Sequence, residues 1–168
     1  MSTKQRELAA QAELFRLGFL TCRVVEALQG PGMLDSEAKR AFRSAADWLD
    51  DAACGLNYVA RSGRARRTLT PQSVLRGAQA LQVYFRIHGT PSLDKNLGGG
   101  LLGIARFLRT SAELSRVLRS SYRPRVIAFF EATSTFALER LSSPHIDTSS
   151  PYDHILQQVS PTHSRSVA

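Results

Sequence analysis

The chain has 168 residues, is 43% hydrophobic, contains only two cysteines and carries a formal net charge of +8 with a sequence pI ≈ 10.3. That is enough apolar material to bury a core, which excludes a disordered polymer, and too few cysteines for a disulfide scaffold, so the usage fits a reducing compartment. The charge favours acidic partners, whether nucleic acid, anionic lipid or acidic peptide, without choosing among them.

Residues 4–28 predict one helix. Leu8, Ala12, Phe15, Phe19 and Cys22 recur at steps of four and three, and Leu14, Leu17, Leu20, Val24 and Leu28 widen the apolar face. Lys4, Arg6 and Glu7 open an interrupted pattern, not the apolar run of a signal peptide. Gly30–Pro31–Gly32 stops the helix. Asp35 or Ser36 caps a second one, with Glu37 near the positive end of its dipole. Ala38, Phe42, Ala45 and Leu49 share a face of it, the acids Asp47, Asp50 and Asp51 lie beside that face, and the pattern continues through Leu56 and Val59 to Gly63. Cys22 and Cys54 each sit inside a helical pattern and read as buried thiols. Arg61, Arg64, Arg66 and Arg67 form a basic loop with no aromatic residues for stacking on bases, so it reads first as a solvated connection.

Thr70–Pro71 starts a third helix along Val74, Ala78, Leu81 and Phe85, closed by Gly89. Asn96–Leu97–Gly98–Gly99–Gly100 then opens the most apolar stretch. Its glycines have neither the Walker nor the dinucleotide spacing, and no strand precedes them. Leu101, Leu102, Ile104, Phe107, Leu108, Leu114, Val117 and Leu118 predict one helix; Val126, Ile127, Phe129, Phe130, Phe136, Leu138 and Leu141 predict another. Apolar residues on several faces mark enclosed helices, and the short Ser120–Pro124 break predicts an antiparallel hairpin at the centre of the molecule. The reading is all-α: a domain over residues 1–142 with five main helices, a short sixth near Pro151–Gln158, and a polar, largely disordered tail over 143–168. No stretch is apolar enough to span a membrane, so a cytoplasmic protein without a transmembrane anchor is expected.

Catalytic patterns are missing. His88, His145, His154 and His163 are scattered, no HExxH, CxxC or GxSxG occurs, and Glu131 and Glu139 read as a solvated helix edge. The expectation is a protein that is not an enzyme and needs no metal or cofactor.

Four stretches, in order, resemble the Bcl-2 family of apoptosis regulators. Gln5–Arg6–Glu7–Leu8 looks like the family's N-terminal homology motif. Phe42 to Asp50 looks like its death (BH3) motif, with Ala38, Phe42, Ala45, Ala46, Asp47 and Leu49 in the motif's roles. Leu69–Thr70–Pro71 through Gly89 is similar to its groove-floor helix, and Asn96–Leu97–Gly98 to the Asn-Trp-Gly that opens its central helix. The likeness covers roughly residues 5–142. It departs where the family has an arginine after that glycine: here Gly99 stands, Leu97 replaces the tryptophan, and Arg106 or another basic residue would have to supply the cation.

The resemblance implies a Bcl-2-like helical bundle with a central apolar hairpin wrapped by amphipathic helices. It also implies an apoptosis regulator, anti-apoptotic in direction, that captures BH3-type helices of pro-apoptotic partners in a hydrophobic groove. The groove would be lined by Leu49, Ala53, Leu56, Ala78, Leu81 and Phe85, and closed by Asn96, Leu97, Gly98 and Leu101. Homodimerisation through the groove and recruitment by partners to the mitochondrial outer membrane follow from it; a short, anchorless, divergent member is the form a viral relative takes. The alternative is a basic helical bundle that binds nucleic acid through Arg61–Arg67 and through Arg106, Arg109, Arg116, Arg119, Arg123 and Arg125.

Overall fold

The computed structural model describes residues 2–62, 71–88 and 97–143, without the side chains of 54–62, 71–74 and 97–99. It contains the helices α1 (Thr3–Gln29), α2 (Ser36–Ser62), α3 (Pro71–His88), α4 (Leu97–Glu113) and α5 (Arg123–Leu141). The all-α expectation holds among the described residues. The expected short helix at Pro151–Gln158, the tail from 144 onward, most of the Arg61–Arg67 loop and Asn96 lie outside them.

Local chemistry sets the ends. Ser2 and Gln5 form a reciprocal capping box, each side chain accepting from the other's backbone N–H. Asp35 Oδ1 accepts from Ala38 N at 2.7 Å and starts α2. Between them Gly32, at φ +92°, turns the chain through a region that only glycine occupies cheaply.

The centre of the bundle is α2. It packs on α1, α3 and α4, while α5 packs on α1 and α3. One continuous core joins Phe42 and Leu49 of α2, Leu81 of α3, Leu101 and Leu108 of α4 and Phe129 and Phe130 of α5. Large aromatic and aliphatic side chains from four helices thus share one buried volume, the main source of stability here.

The expected α4–α5 hairpin does not form; the main partner of α4 is α2 and that of α5 is α1. The reason lies in the connection. Helix α4 ends at Glu113 because Ser115 turns to φ 56°. The predicted helical residues Leu114, Val117 and Leu118 instead lie in a non-helical strip pinned to the α1–α2 turn, with Leu34 N donating to Ser115 O at 3.1 Å and Val117 N donating to Gly32 O at 2.7 Å. That strip doubles back along α4. Tyr122 Oη reaches Gly100 O at 3.3 Å, about 20 Å up the helix from Glu113. Helix α5 therefore starts at the far end of α4 and runs antiparallel to α1. Cys22 Sγ lies 3.7 Å from Ser134 Oγ, and Gln29 Nε2 donates to Glu131 Oε1 at 3.4 Å.

A second correction concerns α1. Its buried row is Ala10, Leu14, Leu17, Thr21, Val24 and Leu28. The row expected to lead the apolar face points outward: Leu8, Phe15 and Phe19 are 57%, 67% and 68% exposed, and Ala12 and Cys22 are exposed too. Both rows have helix spacing and lie on opposite faces. The inward face buries Glu13 as well, met there by Arg76 of α3, so charge does not choose between the rows; what the other helices cover does. Cys22 is thus a surface thiol, and the side chain of Cys54 is outside the described set.

Candidate docking surfaces

The expected groove residues are brought together, but as core. Leu49, Ala53, Ala78, Leu81, Phe85 and Leu101 are all buried in the common cluster, Leu81 at 1% exposure. Helix α3 packs on α2 here. Leu56, Leu97 and Gly98 belong to helices whose side chains at those positions are not described, and Asn96 is not described at all. Arg106 is exposed on α4, beside a recess of ≈ 270 Å³ shared with Asp50, Leu102, Arg109, Thr110 and Glu113.

The death-motif positions divide cleanly. Ala38, Phe42, Ala45, Ala46 and Leu49 face the core, and Asp47 faces solvent. Arg109 of α4 binds Asp47 and Asp50 together, each at 2.7 Å, and its guanidinium pKa is raised by the hydrogen bonds to Asp50 and Asp47.

The open surface lies elsewhere, on the outward row of α1 and the cleft beside it. Helices α1 and α2 run antiparallel, since Arg23 meets Glu37 near the turn while Glu13 and Trp48 line the same cleft further on. The cleft encloses ≈ 470 Å³; Phe19, Leu20, Ala41 and Trp48 supply its apolar lining, and Arg16 and Arg40 belong to its rim. Its deep acid is already satisfied. Glu13 is buried and accepts from Arg76 Nε at 2.6 Å, and Arg16 approaches its other oxygen at 3.7 Å. Arg40 is exposed and makes no ion pair among the described residues. The indole N–H of Trp48, a residue 4% exposed, has no acceptor. On the other side of the row, Leu138 is 60% exposed on α5. It follows Ser134 by one helical turn, which carries it alongside the Phe15–Phe19 segment of the antiparallel α1.

The arrangement is an apolar ridge with a cleft at its flank and one rim cation, Arg40, without an ion pair among the described residues. Among the described residues no group of three or more His, Cys, Asp or Glu side chains is placed to hold a metal, and no helix is long and apolar enough to cross a membrane. No family model, no curated protein and no solved structure matches this chain. Sequence reasoning found every residue of the ridge but aimed it inward. No local signal reverses the assignment, because both rows carry the same spacing.

Proposed function

We propose that this protein is a non-catalytic binding module that captures an amphipathic helix of a partner on the outward face of α1 and in the adjoining α1–α2 cleft. The single observation that carries the reading is the solvent-facing row of Leu8, Phe15 and Phe19, spaced as one helix presents to another. An isolated exposed leucine means little, but three large side chains in a row, extended by Leu138, form an apolar patch of the kind that marks interaction sites. Arg16 and Arg40 on the rim select a partner with acids flanking its apolar stripe.

The resemblance to the Bcl-2 family supplies the narrower form of this reading. The partner is then a death-motif helix of a pro-apoptotic protein, and sequestering it protects the cell. Because Leu81 and Phe85 are buried, this reading puts the contact on α1 instead of the expected groove.

The test is a titration of fluorescent amphipathic helical peptides, death-motif sequences included, against the full chain and against Phe15→Glu/Phe19→Glu. Micromolar or tighter binding that the double variant abolishes, with its circular dichroism intact, supports the proposal. Binding that survives the double variant places the contact elsewhere. Concentration-dependent self-association lost in the same variant would make the partner a second copy of this chain.

A further inference from the structure

The strip between α4 and α5 carries Arg116 and Arg119, and α5 opens with Arg123 and Arg125. Arg116, Arg119 and Arg125 are exposed and Arg123 is half-buried. None of the four makes an ion pair among the described residues, whereas Arg16, Arg23, Arg76, Arg86 and Arg109 each meet a carboxylate. No aspartate or glutamate occurs between Glu113 and Glu131. The strip is therefore a run of arginines without ion-pair partners among the described residues.

The platform beneath it is fixed. The strip is hydrogen-bonded to the α1–α2 turn at Leu34 and Gly32, Val117 is buried, and Tyr122 is anchored on Gly100. The start of α5 also breaks a local rule. The positive end of a helix dipole favours acids, yet its first turn holds two arginines and no acid, and Tyr122 provides no side-chain cap. An anion docked there would offset that repulsion. Aromatic faces for stacking on bases are not on offer, because Tyr122 packs edge-on against Phe107 at 6.2 Å.

We infer that this arginine strip docks the phosphate backbone of a double-stranded nucleic acid without reading its sequence. Exposed arginines on a rigid support suit phosphate oxygens. The lack of free aromatic side chains beside the strip favours a duplex over a single strand. The strip is distinct from the α1 ridge, so this inference stands or falls apart from the proposed helix capture.

The experiment is fluorescence anisotropy of the full chain with a labelled duplex of about 20 base pairs at two salt concentrations a factor of four apart, about 50 and 200 mM. Four phosphate contacts predict a log–log salt slope near ~ −3.6, hence about a 150-fold fall in affinity. The variant Arg116→Gln/Arg119→Gln/Arg123→Gln/Arg125→Gln should lose most of that slope and at least about tenfold in affinity at the lower salt. Lys4→Gln/Arg6→Gln/Lys39→Gln/Arg43→Gln removes the same charge from other surfaces and should stay within about threefold of the parent. No binding at the lower salt, equal losses in both variants, tighter binding of a single strand, or preference for phosphatidylserine vesicles over the duplex each overturns the inference. So does unfolding of the strip variant, which would give those arginines a structural role instead.

Discussion

Arg109 and Asp47 join α4 to α2 across the outside of the bundle, Nη2 lying 2.7 Å from Oδ1. The acid that the death-motif resemblance singles out is thereby occupied within the molecule, and the same guanidinium holds Asp50 at 2.7 Å. All three groups are solvated, so the pairs are screened and each is worth little, about 0–1 kcal/mol. Arg109→Ala should lower unfolding free energy by about 1 kcal/mol or less in low salt, and the difference should shrink at about 0.5 M NaCl. Urea denaturation at both salt levels measures this. A salt-independent loss of several kcal/mol would mean that Arg109 acts through packing of its stem, not through charge.

Glu13 and Arg76 form the opposite kind of pair. Glu13 is buried, and Arg76 Nε lies 2.6 Å from it, tying α1 to α3. Removing the arginine leaves that buried carboxylate only the longer contact to Arg16 at 3.7 Å, a loss of up to about 3 kcal/mol. Arg76→Leu should therefore destabilise far more than Arg109→Ala, and Glu13→Gln/Arg76→Leu should recover part of the loss because the stranded charge is gone. Denaturant midpoints of the two variants and the double variant decide it; an unrecovered double variant would place the cost in packing.

Leu81 and Phe19 separate core from surface. Leu81→Glu buries a charge in a position that is 1% exposed and should cost more than about 4 kcal/mol, so the chain should lose its cooperative transition. Phe19→Glu replaces a side chain that is 68% exposed and should change stability by no more than about 0.5 kcal/mol. Thermal unfolding of both checks the pair. A stable Leu81→Glu protein would return the contact site to the α2–α3 side that the sequence favours.

How far the sequence reaches can be judged from α2 and α1. On α2 the steps through Ala38, Phe42, Ala45 and Leu49 name the buried face correctly, because the opposite face holds charges and only one face can go inward. On α1 two apolar rows compete, and spacing alone ranks them equally; the choice is made by what the rest of the bundle can cover. The α4–α5 region fails for a different reason. Leu114 to Leu118 has a helical pattern, but the backbone bonds from Leu34 and to Gly32 come from a segment about 80 residues earlier, beyond any local window. Of the groove residues, Leu49, Ala53, Ala78, Leu81, Phe85 and Leu101 share one buried cluster; whether a set of apolar side chains lines a trough or fills a core depends on the distance between helices, which periodicity does not encode.

Tyr122 gives a prediction that tests the doubled-back strip directly. Burial raises its phenol pKa above the ordinary value, with nearby Arg125 pulling the other way. An unfolded tyrosine ionises near pH ~10. Above that pH the unfolded chain sheds its proton while the folded phenol still holds on, so this contribution is intact below about pH 10 and is lost as pH rises through the folded value. Tyr122→Phe keeps the packing on Phe107 but cannot ionise. It should lose about 1 kcal/mol at neutral pH for the bond to Gly100 and then fall less steeply than the parent at alkaline pH. The difference between the two melting curves isolates this residue from the other tyrosines. A further change sharpens it: a Cβ on Gly103 would meet Tyr122 Oη at 2.9 Å. Gly103→Ala should thus destabilise the parent, yet be neutral or stabilising by up to about 1 kcal/mol in Tyr122→Phe, where the hydroxyl is gone and only alanine's better helix propensity is left. Additive effects of the two changes would mean that Tyr122 does not lie across α4, and the strip would then have to take another path to α5.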